Sequence, residues 1–188
     1  MSGMKAGVLA LQGDFREHAR VLADAGATPV EVRTPAELDD VACLAIPGGE
    51  STTISRLARS AGLIEPLRAR AGAGMPIFGT CAGMIVLAER VVGGEALFGV
   101  IDITVRRNAY GRQVDSFETD LDVKGIEHPV RGVFIRAPWV EDVGPAVRVL
   151  ATLEGRPVVL EQGNLIVASF HPELVGEPAL HEYLLKKV

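Results

Sequence analysis

Pro76-Ile77-Phe78-Gly79-Thr80-Cys81-Ala82-Gly83-Met84-Ile85-Val86-Leu87 is the stretch whose reading decides the fold. It follows a Gly/Pro-rich break, Gly72-Ala73-Gly74-Met75-Pro76, and opens as a short apolar run, the mark of a buried strand. Beyond Cys81 the apolar positions Met84, Leu87, Ala88 and Val91 suit a buried helix that continues to Gly93-Gly94. Cys81 stands at the junction, with Gly79 two residues before it and Gly83 two residues after. A nucleophile on a sharp strand-to-helix turn needs small residues at those two places, because strand and helix pass very close there. The N–H groups that open a helix favour a thiolate over a thiol. The same residues also describe a structural cysteine in a tight βα turn, and this stretch alone leaves both readings open.

The chain of 188 residues is long enough for one sizeable domain. A hydrophobic fraction of 48% predicts a well-buried core and not a disordered chain. A net charge of −5 argues against nucleic acid or an anionic membrane surface as the main partner. No apolar run approaches the roughly 20 residues that span a bilayer. The N-terminal run Ala6–Leu11 is broken too soon by Gln12-Gly13-Asp14 for a signal peptide. Two cysteines, Cys43 and Cys81, make no disulfide framework, so a reduced, cytoplasmic setting is expected.

Taken in order, Ala6–Leu11 reads as a first buried strand, and Asp14 as the cap of a helix through about Ala25 with Gly26 in the stop position. Pro29–Arg33 reads as a second strand, Pro35–Asp40 as a helical turn and Val41–Ile46 as a third strand holding Cys43. This alternation implies βαβ units and a parallel sheet covered on both faces. Pro47-Gly48-Gly49-Glu50-Ser51 ends the third strand before a helix over Thr52–Ser60. Two adjacent glycines there let the backbone turn its N–H groups toward a ligand, while a plain turn with Ser51 as helix cap is the simpler alternative. Ligands of open α/β sheets bind beyond the carboxyl ends of the strands, so this loop and the Cys81 turn are expected on one edge. After Gly93-Gly94 the runs Val100–Val105, Val114–Thr119, Val133–Ile135, Val147–Leu153, Pro157–Leu160 and Leu165–Phe170 read as antiparallel or mixed strands added to that sheet. Pro178–Lys187 reads as a closing helix.

The last apolar strand runs into His171-Pro172-Glu173. Proline favours an extended residue before it, and two residues apart on an extended backbone His171 and Glu173 leave on one face. A carboxylate then holds one imidazole nitrogen while the other faces a nucleophile, the logic of a Cys-His-acid triad. A polar turn at a strand end is the alternative for this tripeptide alone. His18 and His181 fall on helices and His128 before a proline, which suggests solvated or capping roles. No His/Cys/Asp/Glu grouping has metal-ligand spacing, so no metal and no cofactor are expected.

With these residues in view, Pro47-Gly48-Gly49-Glu50-Ser51, Gly79-Thr80-Cys81-Ala82-Gly83 and His171-Pro172-Glu173 together resemble a class I, triad-type glutamine amidotransferase. Leu9-Ala10-Leu11-Gln12-Gly13, Arg107-Asn108-Ala109-Tyr110-Gly111-Arg112-Gln113, Ser116-Phe117-Glu118 and Phe134-Ile135-Arg136-Ala137-Pro138 narrow the resemblance to the glutaminase subunits of pyridoxal phosphate synthases. It covers Met4 to Val188; Met1-Ser2-Gly3 stands ahead of it, and Val175-Gly176 departs from the polar residues expected there.

The resemblance implies a single domain over residues 1–188 with a three-layer, flavodoxin-like α/β/α fold, a mostly parallel central sheet and added antiparallel strands. It implies hydrolysis of L-glutamine to glutamate and ammonia through a Cys81 thioester, with His171 as proton relay and Glu173 as its orienting acid. Backbone N–H groups of Gly49 and Ala82 are the implied oxyanion hole. Glu50 suits the substrate ammonium, and Gly48, Arg107, Ile135 and Arg136 the rest of the glutamine. The implied partner is a (β/α)₈-barrel synthase subunit in a hetero-oligomer, which makes pyridoxal 5'-phosphate from a pentose phosphate and a triose phosphate. Another Cys-triad amidohydrolase and a non-catalytic regulatory subunit are the competing readings. The intact set Cys81, His171 and Glu173 speaks against the second.

Overall fold

A computed structural model of the chain describes residues 3–107 and 116–188. The first half alternates as the apolar runs require: β1 Lys5–Leu9, α1 Phe15–Asp24, β2 Thr28–Val32, α2 Pro35–Asp39, β3 Cys43–Ile46, α3 Ser51–Ser60, α4 Ile64–Gly72, β4 Ile77–Thr80 and α5 Ala82–Leu87. The second half is mostly strand: β5 Ala88–Val92, β6 Ile101–Arg106, β7 Phe117–Leu121, β8 Val130–Phe134, β9 Trp139–Val143, β10 Arg148–Leu153, β11 Arg156–Gln162 and β12 Leu165–Ala168, closed by α6 Ala179–Leu185.

Seven strands form one sheet in the order β10-β11-β12-β4-β3-β1-β2. Strands β12, β4, β3, β1 and β2 run parallel to one another, whereas β11 pairs antiparallel with β12, and β10 with β11, at one edge. Side chains of the central strands alternate between two separate apolar layers, as the period of two demands. Leu44, Ile46, Ile77 and Val167 pack with α3, α4 and α5 on one face. Cys43, Ala45, Phe78 and Ile166 pack with α1 and α6 on the other. The sheet is therefore covered on both sides, and α2 is set by a capping box in which Thr34 and Glu37 satisfy each other's backbone N–H groups.

Four expectations need correction. The helix after Cys81 stops at Leu87 and does not reach Gly93-Gly94; Ala88 turns extended and the β-branched Val91 and Val92 pair with β6 instead. Helix α4 escaped the sequence reading because Leu67 is its one fully buried residue and Pro66 suggests a break, although a first-turn proline costs a helix little. Strand β9 was also missed, since Glu141 and Asp142 interrupt its apolar pattern. Nor do all the late strands join the main sheet. β5, β6 and β9 form a second sheet, and β7 with β8 forms a separate antiparallel pair. Val114, placed at the start of a strand, lies outside the described residues, as do Asn108 to Gln113 of the basic motif.

Cys43 is fully buried at the start of β3, and burial pushes its thiol up to about 11. It is an inert core residue. Cys43→Ser should leave catalysis intact and cost about 1–3 kcal/mol of stability, because a hydroxyl replaces the thiol in an apolar layer. Urea melts alongside activity per folded molecule check this; a folded but inactive variant would contradict it.

Candidate functional site

The carboxyl ends of four neighbouring parallel strands carry the site. β12 leads to His171, β4 to Cys81, β3 to Gly48-Gly49-Glu50 and β1 to Gln12-Gly13-Asp14. Adjacent strands in register bring these four loops together, at the edge where open α/β sheets bind ligands. They enclose a cavity of about 380 Å³ lined by Cys81, Ala82, His171, Gly49, Glu50 and Asp14, with Gln12, Arg107, Ile135 and Arg136 completing its wall.

Cys81 has φ 49° and ψ −105°, a left-handed conformation that costs a non-glycine residue strain. The turn is held from both sides. The Cys81 N–H donates to Ala168 O of β12 at 2.9 Å, and Ile85 N–H donates back to Cys81 O at 3.3 Å. A Cβ on Gly79 would lie 2.7 Å from the Gly83 carbonyl carbon, and one on Gly83 would overlap the carbonyl oxygen of Ile46. Only hydrogen fits at these two places, as the spacing suggested. The backbone over-determines where the sulfur sits, at the mouth of the cavity and 8% exposed.

His171 forms an isolated antiparallel bridge with Val133 of β8, its N–H donating to Val133 O at 2.8 Å. Its Nδ1 lies 2.7 Å from Glu173 Oε1 and 3.3 Å from Asp14 Oδ2. The contact with Glu173 was expected but its backbone was not: Pro172 is helical, and Glu173–Val175 is a 3₁₀ turn. The carboxylate reaches the ring by curling under it, not along an extended strand. Asp14 was read only as a helix cap; it begins α1 without a side-chain cap bond and turns its carboxylate to His171 instead.

Burial works against the charged form of His171, but hydrogen bonds with Asp14, Cys81 and Glu173 outweigh it and hold the imidazole well above its usual range. Burial likewise opposes ionised Glu173, yet His18 and His171 hold its carboxyl far below the usual carboxylate range. A protonated ring beside the sulfur supplies the countercharge a thiolate nucleophile needs. Asp14, His171 and Glu173 offer metal-type ligand atoms within 4.8 Å of one another. Binding an ion there requires a bare imidazole nitrogen, which the raised affinity of His171 for its proton opposes.

Glu50 caps α3 by accepting from Thr53 N–H at 3.1 Å, displacing Ser51 from that role. Its carboxylate also accepts from the Thr52 hydroxyl and lies 3.5 Å from Arg107 Nη2. The Thr52 hydrogen bond, aided by backbone N–H groups and Arg107 against a modest burial cost, keeps Glu50 ionised below the usual range. Gly49 has φ 146°, and its loop is pinned by Glu50 N–H donating to Gln12 Oε1 at 2.7 Å and Asp14 N–H donating to Gly48 O at 3.2 Å. Arg136 also takes a positive φ, 45°, which aims it at the cavity wall.

Sequence reasoning missed a buried group behind the triad. His18 and His181, expected in solvated or capping roles, are both fully buried. His18 Nδ1 meets His181 Nε2 at 2.8 Å; His18 Nε2 lies 3.0 Å from Thr80 Oγ1 and 3.5 Å from Glu173 Oε1. The available signal was helical spacing, since His18 shares the apolar face of α1 with Val21 and Leu22, and His181 that of α6 with Leu180 and Leu184.

These shifts fix a pH profile of stability. Burial and the neighbouring His18 depress His181 from 6.5 to about 3, so unfolded chains bind a proton that the native state refuses as pH falls below 6.5. Glu173 adds to the acid loss below about 4.5, its unfolded value. His171, raised, contributes stability below 6.5 that is lost as pH climbs through its native value. Stability should therefore peak near neutrality. Urea midpoints between pH 4 and 7 should rise with pH, and less steeply in His181→Phe; an equal slope in that variant would remove His181 from the account.

Comparisons with known proteins give the chain its family. The profile of the SNO glutamine amidotransferase family matches residues 8–188. A pyridoxal 5'-phosphate synthase subunit PdxT from Frankia alni is 60% identical over 185 residues, covering 96% of this chain and 93% of its own. One from Pelotomaculum thermopropionicum is 53% identical over 186 residues, with coverage of 98% and 95%. A crystal structure of a glutamine amidotransferase superposes with TM-score 0.92 at 49% identity, covering 97% of each chain. With a family profile spanning nearly all of it and relatives this similar, the chain belongs to the SNO family of glutamine amidotransferases.

Proposed function

We propose that this chain is the glutaminase subunit of a pyridoxal 5'-phosphate synthase, one domain over residues 1–188 that hydrolyses glutamine and hands the ammonia to a synthase subunit in the cytoplasm. The observation that carries the chemistry is the strained Cys81 turn opening on a cavity shared with His171, whose far nitrogen is tied to a buried carboxylate.

The Cys81 thiolate attacks the side-chain amide carbon, and the carbonyl electrons move onto oxygen. N–H groups of Gly49 and Ala82 take that oxyanion. His171 gives its proton to the departing nitrogen, ammonia leaves, and a glutamyl thioester remains. Neutral His171 then takes a proton from water, whose oxygen attacks the thioester and releases glutamate with regeneration of the thiolate. Glu173 keeps the ring's tautomer and stabilises the imidazolium. Glu50 receives the substrate's α-ammonium on the side of its carboxylate not engaged by Thr53. Arg107 and Arg136, with backbone at Gly48 and Ile135, receive the α-carboxylate and the remaining polar atoms.

Ammonia released into water is protonated and lost as a nucleophile, so an acceptor site must connect to Cys81. A (β/α)₈-barrel synthase subunit in a hetero-oligomer, acting on a pentose phosphate and a triose phosphate, is the acceptor consistent with the names of the relatives. Leu174 and Val175, 40% and 42% exposed beside the cavity, are apolar where a free surface favours polar side chains, which suits a docked partner. Partner docking also accounts for gating. A flip of the Gly48-Gly49 peptide makes or unmakes the oxyanion hole, and the Asp14 N–H bond to Gly48 O is what such a flip must break.

Cys81→Ala should abolish ammonia release while leaving the fold intact, and His171→Asn should be nearly as damaging. Glu173→Gln should hurt less, because it acts through His171; a harmless Glu173→Gln would reduce the triad to a dyad. Titrating the synthase subunit into a glutaminase assay should raise the rate strongly over that of the isolated chain. Full activity without the partner would end the gating reading.

A further inference from the structure

Glu173 is a carboxylate with an unusual balance. Its side chain is fully buried, and among the described residues Oε2 has no hydrogen-bond partner. Both strong interactions converge on Oε1, His171 Nδ1 in front at 2.7 Å and His18 Nε2 behind at 3.5 Å. A buried carboxylate held through one oxygen by one partner takes up a proton or swings away, because desolvation penalises the bare charge. His18 is placed to prevent both. Its ring is itself fixed at two points, by His181 Nε2 at 2.8 Å and Thr80 Oγ1 at 3.0 Å, and it packs edge-on to Phe78. With Nε2 protonated, a single N–H of His18 reaches both Thr80 and Glu173, while Nδ1 forms the hydrogen bond with His181 Nε2. Thr80 immediately precedes Cys81 and ends β4. His18 thus bridges the acid of the triad and the strand that delivers the nucleophile.

We propose that His18 is a positioning residue of the glutaminase site, holding the Glu173 carboxylate ionised and aimed at His171, with His181 as the anchor of its ring. The inference rests on the triad reading above and extends it by a second layer of imidazoles drawn from α1 and α6. Among the described residues, the titratable groups facing Glu173 are His18 and His171; Asp14 approaches the same His171 Nδ1 as Glu173, Cys81 also hydrogen-bonds the His171 ring, and His181 stands behind His18. A packing role alone requires volume at position 18. A positioning role requires a donor.

The test compares His18→Met with His18→Gln, similar in volume, of which only glutamine carries an N–H to offer Glu173. Each full chain, folded by circular dichroism, is assayed for glutaminase activity with the synthase subunit. Cys81 alkylation by iodoacetamide is followed against pH in the same proteins. In His18→Met, kcat should fall about tenfold or more with little change in KM, as for lost outer partners of a functional imidazole. The pH midpoint of alkylation should move upward, because the imidazolium beside the sulfur loses its support. His18→Gln should recover most of both. Should His18→Met fail to fold, His181→Phe removes the anchor while keeping ring volume against Phe78, and should show the same upward midpoint in smaller measure. Equal impairment of Met and Gln, or a folded His18→Met or His181→Phe with wild-type kcat and midpoint, overturns the proposal. Cys81→Ala in the same assay separates the two layers: activity in that variant defeats the triad itself, whereas an inactive Cys81→Ala beside a wild-type His18→Met defeats the role of His18 alone.

Discussion

The close approach of α5 to the end of β3 is the constraint on which the rest of the molecule depends. Gly83 lies so near the Ile46 carbonyl oxygen that a methyl group has no room, and Gly79 lies almost as near the turn of the same helix. That contact fixes the entry of α5, and the entry of α5 forces Cys81 into its positive φ. Strain of this kind persists only where neighbours over-determine the backbone. Here they are the hydrogen bond to Ala168 and the two apolar layers that clamp β4 from both faces. A sulfur that cannot relax stays at the cavity mouth before any substrate arrives, and preorganisation of this sort spares reorganisation during the reaction.

Electrostatics then do what packing alone cannot. Removing the Glu173 carboxylate, three imidazoles and a thiol from water is costly for each group singly. They are tolerated because they are linked end to end, from Asp14 through His171 and Glu173 to His18 and His181. The chain crosses the sheet edge from the cavity to the layer beneath α1 and α6, so the same contacts that tune the site also tie two helices to the sheet.

Much of this was legible in the residues. Short apolar runs separated by Gly and Pro located the parallel strands within a residue or two, because buried parallel strands have no polar face to blur them. The Gly79/Cys81/Gly83 spacing and the His171-Pro172-Glu173 end of β12 located the reacting groups, since steric need at a sharp turn leaves a mark in sequence. What stayed hidden depended on tertiary pairing. Val91 and Val92 suit the end of a helix as well as a strand, and only β6 decides between them. Asp14 looked like a cap because capping is the local use of aspartate before a helix; its turn to His171 requires a strand 157 positions later in the chain. His18 and His181 read as surface residues because polar types were given more weight than their place on an apolar helix face.

The position of β12 between β4 and β11 has a consequence for how the protein is made. The nucleophile is synthesised 90 positions before its base, Cys81 against His171. At ribosomal rates of roughly 5–20 residues per second, that interval lasts about 5–20 s. Throughout it β4 has no partner on one side, leaving an open apolar edge of the kind that pairs with other chains. The nascent chain thus carries its reactive cysteine without the group that activates it. Insertion of β12 closes the edge and completes the relay in one step. Acquisition of chemistry and loss of the aggregation-prone edge are therefore the same late folding event, delayed by the long-range contact that such a parallel pairing demands.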